Sequence, residues 1–176
     1  MFPLEGYTDA KLEKNKRAFC KGSIFSPSIN LNYQDNLKAF ARVIASDKPA
    51  YILVIGSGQQ KEWLEKIFAN IKQFTFIYCD IDSNAEVDLF CDAHELPFVE
   101  RVFHGVIITA VLEHVLYPER VVNEIHRVLV DGGAIYSEIP FMQQVHEGAY
   151  DFTRYTLSGH RLLMNQFQEL SNCLVD

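Results

Sequence analysis

The chain has 176 residues, 48% of them hydrophobic, which suits one domain with a sizeable core and excludes wholesale disorder. Its formal net charge is −7, and its only basic concentration is Lys11, Lys14, Lys16, Arg17 and Lys21, so a nucleic-acid surface is not expected. No run approaches the roughly 18 apolar residues of a membrane span, and Met1-Phe-Pro-Leu-Glu-Gly6 lacks the basic start and apolar core of a signal peptide; a cytoplasmic protein is expected.

In chain order, residues 1–33 read as an irregular segment, with Ser23, Ser26, Pro27 and Ser28 marking loop. Residues 34–176 read as a single domain. Leu37, Phe40, Ala41, Ile44 and Ala45 recur at helical spacing and predict a helix over 34–46, stopped by Lys48-Pro49. An apolar strand over 51–55 runs into Gly56-Ser57-Gly58. A helix over 60–71 follows, with Trp63, Leu64, Ile67 and Phe68 on one face. Strands are predicted over 74–79, 87–91 and 103–109. Pro118 opens a helix over 118–130, which Asp131-Gly132-Gly133 is expected to end. A strand over 134–139, a helix over 156–167 and a weak strand within 169–175 complete the chain.

Such alternation predicts an α/β fold, Rossmann-like, with a parallel sheet and helices on both faces. One join is short. Only about seven residues separate Cys79 from Val87, where a parallel crossover normally takes a dozen or more. The crossover helix there is expected to be reduced to a turn.

The chemistry concentrates where strands end. A backbone bared by Gly56-Ser57-Gly58 lets a nucleotide-like ligand lie against it. Lys61 stands where the dinucleotide fingerprint has its third glycine, so that signature is incomplete. Asp80 ends the second strand, where a carboxylate can accept from both hydroxyls of a ribose. Asp92 follows the third strand and can accept from an adenine amino group, while the Ala93 N–H donates to a ring nitrogen. The cysteines Cys20, Cys79, Cys91 and Cys173 form no C-x-x-C and read as reduced thiols. No two histidines stand at i, i+4, so no metal site is expected.

These residues carry a resemblance. Ile55-Gly-Ser-Gly58, Asp80-Ile-Asp82, Asp92-Ala-His-Glu-Leu-Pro-Phe98, Val111-Leu-Glu-His-Val115, and Arg127-Val-Leu-Val-Asp-Gly-Gly133 running into Ile139-Pro-Phe141 follow one another in order. Over residues 51–163 the chain resembles the class I S-adenosylmethionine-dependent methyltransferases, in particular their small bacterial methyltransferase-domain (type 11-like) group. The resemblance implies S-adenosylmethionine as cofactor. Gly56, Ser57 and Gly58 would face its methionine part, Asp80 and Ile81 the ribose side, Asp92 and Ala93 the adenine. Thr109 and Ala110 would form the methionine-side wall. The family closes its sheet with a C-terminal antiparallel strand pair. That pair looks incomplete here, which implies an open edge and a possible homodimer through it.

Methyl transfer needs approach geometry and, for a hydroxyl or amine acceptor, a base. Candidates lie beyond the fourth and fifth strands: His114, and His146 in the polar, aromatic stretch 140–155. That stretch reads as a substrate lid, with Asp151, Arg154 and Tyr155 toward the acceptor, a small molecule or sugar-type compound. Asp151 and Arg154 can equally pair with each other. The competing functional class is a non-catalytic S-adenosylmethionine-binding or partner-stabilising domain, motivated by Val54 and Gln59 beside the glycine turn. A nicotinamide-dependent reductase is disfavoured, because the only Tyr-x-x-x-Lys, Tyr7 to Lys11, precedes the glycine turn.

Overall fold

The computed structural model describes residues 33–45, 47–58, 60–146 and 148–170. Residues 1–32 of the 1–33 segment expected to be irregular, Cys20 among them, lie outside these, as do Gln59, Cys173 and most of the weak strand expected within 169–175. Glu169 and Leu170 are described and are not strand.

Among the described residues five strands form one sheet: β1 (Ala50–Ile55), β2 (Phe74–Asp80), β3 (Leu89–Phe90), β4 (Phe103–Thr109) and β5 (Leu129–Glu138). Their order is β3-β2-β1-β4-β5, and every neighbouring pair is parallel. Among the described residues four α-helices cover it: α1 (Tyr33–Ile44), α2 (Lys61–Phe68), α3 (Pro118–Val128) and α4 (Leu157–Leu163). This is the expected Rossmann-like architecture.

The core lies in two layers, one on each face. Leu37, Phe40, Ala41 and Ile44 of α1 and Leu64 and Phe68 of α2 pack on Ile52, Val54, Tyr78 and Ile107. Val121, Val122, Ile125 and Val128 of α3 pack on Leu53, Ile55, Val106 and Ile108. Alternate residues of β1 and β4 thus feed opposite layers, which is why those strands read as unbroken apolar runs. Gly105 lets α1 come close: a Cβ there would stand 2.6 Å from the Phe40 ring and 3.0 Å from Ile44.

Several boundaries differ from the sequence expectation. The third strand shrinks from 87–91 to Leu89–Phe90. Asp88 accounts for this, since its side chain takes over the pairing: Tyr78 N donates to Asp88 Oδ2 at 2.9 Å, and Lys61 Nζ reaches Oδ1 at 3.3 Å. The crossover before it is a turn, as expected, pinned by Asp82, whose carboxylate accepts from the main-chain and side-chain nitrogens of Asn84.

Helix α3 ends at Val128 rather than 130. Leu129 is extended (φ −75°, ψ 139°) and already pairs with Phe103. The Gly132-Gly133 pair therefore does not cap the helix. It sits inside β5, where the register jumps from Phe103↔Leu129 to Gly105↔Ala134, a bulge with Gly132 at φ +77°. Helices α2 and α4 are also shorter than 60–71 and 156–167, each ending in turns. β5 is the outermost strand on its side among the described residues. No described helix is long and apolar enough to cross a membrane.

Candidate functional site

The C-terminal ends of β1, β2, β3 and β4 converge, where an open parallel sheet leaves room for a ligand. The turn after β1 takes φ +67° at Gly56 and +49° at Gly58, a region other residues enter at a cost. Gly56 N and Ser57 N both donate to Cys79 O, at 2.9 and 3.3 Å. Gly58 N donates to Asp80 Oδ2 at 2.9 Å, and Asp82 N to Oδ1 at 2.9 Å. Asp80 thus does two things: it fixes the glycine turn and presents its carboxylate beside it. Ser57 Oγ is buried without a hydrogen-bond partner. Ile81 follows Asp80 with an exposed side chain, an apolar surface beside the carboxylate.

One strand further out, Cys91 N donates to Asp80 O at 3.0 Å and so ties the next acid to the same corner. Asp92 Oδ1 accepts from His94 N at 2.8 Å and from the His94 ring at 2.6 Å. The far nitrogen of that ring accepts Tyr117 N at 3.2 Å. His94 Nδ1 therefore carries the proton. Burial opposes the charge on Asp92, but the His94 main-chain and ring donors outweigh it and hold its pKa below the ordinary carboxylate value. Ala93 packs against the α3-side core. The whole 92–98 stretch is clamped by Arg127, which donates to Phe98 O at 2.7 Å and Leu96 O at 2.9 Å while paired with Glu124.

On the other side, Thr109 ends β4 and is buried. Its hydroxyl donates to Gln60 Oε1 at 3.3 Å, as does Tyr33 Oη at 3.3 Å. Ala110 sits at φ +53°, with its N–H bonded to Glu138 O of β5 at 3.0 Å. A non-glycine residue held there at a strand end marks stored strain of the kind found at ligand sites. Val54 is buried in the core layer.

The stretch 140–155 folds over the segment after β4. Phe152 N and Thr153 N both donate to Glu113 O, at 2.9 and 3.2 Å. His114 and His146 meet edge to face, their ring centroids 4.7 Å apart and their Nε2 atoms 3.1 Å apart. Asp151 and Arg154 form a two-pronged ion pair, and Arg154 also donates to Gln143 O at 3.1 Å. The guanidinium holds the Asp151 carboxyl down to a pKa of about 2. These two brace the stretch. Tyr155 is half-buried beside them. Beneath, the Glu113 carboxyl is fully buried with neither oxygen hydrogen-bonded, and burial pushes its pKa up to about 7.

The structure thus joins Gly58 to Asp80 directly and Gly56 to the neighbouring Cys79, links Asp92 to them through the β2–β3 pairing, and brings His114 to His146. Three contributors lay outside the sequence expectation. His94 orients Asp92, and its i+2 spacing from an Asp opening a turn is a readable signal. Gln60 joins β4 to α1, and Val111 packs against Gly56; nothing in the local pattern announces either.

A parallel sheet in this order, with a glycine turn after β1 and acids ending β2 and β3, defines a Rossmann-like nucleotide-binding domain. Residues 53–137 match the model of the methyltransferase domain family. Over that stretch, a little under half of the chain, it is similar to the S-adenosylmethionine-dependent methyltransferases. No curated protein sequence matches it. Among solved structures it is similar to a putative methyltransferase from Haloferax volcanii in complex with the Trm112 methyltransferase activator, at 18% identity and TM-score 0.60, covering 77% of this chain and 67% of that one. It is similar to phosphoethanolamine N-methyltransferase 2 of Haemonchus contortus in complex with S-adenosyl-L-methionine, at 17% identity and TM-score 0.58, covering 82% and 38%. The 4+2 cyclase SpnF is alike to the same degree, at 15% identity and TM-score 0.59, covering 76% and 56%. The chain thus spans between 38% and 67% of the length of these relatives. The cyclase is a reminder that this fold hosts more than one chemistry.

Proposed function

We propose that the chain transfers the sulfonium methyl of S-adenosylmethionine to a small-molecule or sugar-type acceptor. The observation that carries this reading is the corner where Gly58 N, Asp80 and Asp92 are tied together. It offers carboxylates for a ribose and an adenine beside a turn with bared backbone. The cofactor's amino-acid end then lies along Gly56, Ser57 and Gly58 toward Thr109 and Ala110, and Ile81 covers the ribose side. Ala93 N is the donor to the adenine ring.

The cofactor supplies the activated methyl group. The protein's own residues orient it and hold the acceptor for in-line approach. His114 and His146 are the groups that act on the acceptor's proton, because the 140–155 stretch sets His146 against His114 after β4 while its Asp151 and Arg154 are engaged with each other. Asp151 and Arg154 keep that stretch in place, and Tyr155 stands on the acceptor side. A homodimer paired along the outer edge of β5 is the assembly this reading expects.

The test is calorimetric titration with S-adenosylmethionine and with its demethylated product. Saturable binding that is lost in Asp80→Ala supports the reading; no heat from either compound sinks it.

A further inference from the structure

The carboxylate assigned to the adenine amino group stands largely in water. The Asp92 side chain is 55% exposed, and an acid that open ordinarily turns about its own bonds. A turning acceptor gives up that freedom only on binding, whereas one already fixed meets its donor without the loss. Asp92 is fixed. Oδ1 accepts from His94 N at 2.8 Å and from His94 Nδ1 at 2.6 Å, so two donors meet on one oxygen. Both bonds fall on Oδ1, and Oδ2 is the oxygen presented to a ligand.

The main-chain donor alone is what any Asx turn offers, here closed by Glu95 N on Asp92 O at 3.1 Å. The imidazole adds a second restraint that is itself held at its far end. The His94 side chain is only 17% exposed, its Nε2 accepts Tyr117 N at 3.2 Å, and its ring meets the Tyr117 ring edge to face with centroids 6.2 Å apart. Tyr117 is the N-cap of α3 and makes no side-chain cap bond. Beyond it, Val121, Val122, Ile125 and Val128 anchor α3 in the core. His94 is thus a strut from a rigid helix to an exposed acid. The strut ends on a charged acceptor, where a hydrogen bond is strongest and most directional.

We propose that His94 is a positioning residue that sets base specificity: acting through Asp92, it makes the site select a 6-aminopurine over a purine that lacks the amino group. Asp92 provides the acceptor and His94 provides its direction. The inference rests on the methyl-transfer reading, which puts adenine at Asp92, and extends it to a residue that does not touch the base.

The test uses two ligands, the demethylated cofactor and its analogue with unsubstituted purine in place of adenine. The analogue lacks only the amino group and keeps the ring nitrogen assigned to Ala93 N. Calorimetry gives Kd for both on the unsubstituted chain, His94→Ala and His94→Asn. The unsubstituted chain should bind the adenine compound at least about tenfold more tightly than the purine analogue, since the difference is one hydrogen bond to a charged group. In His94→Ala the ratio should fall to about threefold or less, with the affinity for the purine analogue held within about twofold. His94→Asn restores an N–H beside Oδ1 and should return part of the ratio. A merely structural role would weaken both compounds together and leave the ratio where it was. An unchanged ratio in His94→Ala overturns the proposal, and so does a His94→Asn no better than His94→Ala. Those results, with the adenine compound still bound by the unsubstituted chain, leave the methyl-transfer reading standing; no binding of either compound to that chain defeats both.

Discussion

Substituting Gly56 by alanine tests the glycine turn at its tightest point. Two penalties act there and can be separated. The first is conformational: Gly56 sits at φ +67°, where a residue with a Cβ loses about 1–2 kcal/mol. The second is steric: the new Cβ would lie 2.1 Å from Val111 Cγ2 and 3.4 Å from Val111 Cβ. Valine is stiff at χ1 and cannot swing its methyl away, so overpacking adds about 1–3 kcal/mol. Gly56→Ala should therefore cost about 2–5 kcal/mol in all. Gly58→Ala provides the control. It has φ +49° but no atom within 4 Å of a built Cβ, so only the conformational penalty applies. Urea unfolding of both variants, at unchanged m-value, gives the comparison. Val111→Ala in the Gly56→Ala background should return part of the loss, giving a coupling of about 1 kcal/mol or more in the double-mutant cycle. Equal losses at the two glycines, or no coupling to Val111, would refute the packing argument.

Two other outcomes follow from the same geometry. Arg127→Ala removes the clamp on Leu96 O and Phe98 O and leaves Glu124 with only the Leu96 N–H, so a loss of about 1–3 kcal/mol is expected, with faster amide exchange concentrated in 92–98. Arg127→Lys should recover only part of it, since an ammonium cannot reproduce the fork; full recovery would count against the clamp. His160 is bonded to Ser137 Oγ at 3.0 Å, and its burial lowers its pKa from the ordinary histidine value despite the opposing charge of Glu169. The unfolded chain binds that proton more readily than the fold. Stability contributed by neutral His160 is thus present above about pH 6.5 and is lost as pH falls below it. The urea midpoint should drop on acidification through that range and drop less in His160→Gln; identical slopes would contradict the reading.

The sheet and its helix faces were legible because their signals are periodic. Val121, Val122, Ile125 and Val128 recur at helical spacing, and the runs ending at Ile55 and Thr109 are apolar on both faces. The acids at the strand ends were legible for the same reason, since strand ends fix where they fall. Errors arose where a side chain replaced main-chain pairing. Asp88 stands in for a β3 partner, and the bulge at Gly132-Gly133 absorbs glycines that resemble a helix stop. Contacts across the fold were not legible at all. Val111 on Gly56, Gln60 between Tyr33 and Thr109, and His114 against His146 depend on how separate loops pack, and no local pattern encodes that.

The most direct measurement is an amide NMR titration of the isotopically labelled chain with the demethylated cofactor. The account predicts saturable shifts centred on Gly56 to Gly58, Asp80 and Ile81, Asp92 and Ala93, and Thr109 and Ala110, greatly weakened in Asp80→Asn. Shifts centred away from these strand ends, or none at saturating ligand, would contradict it.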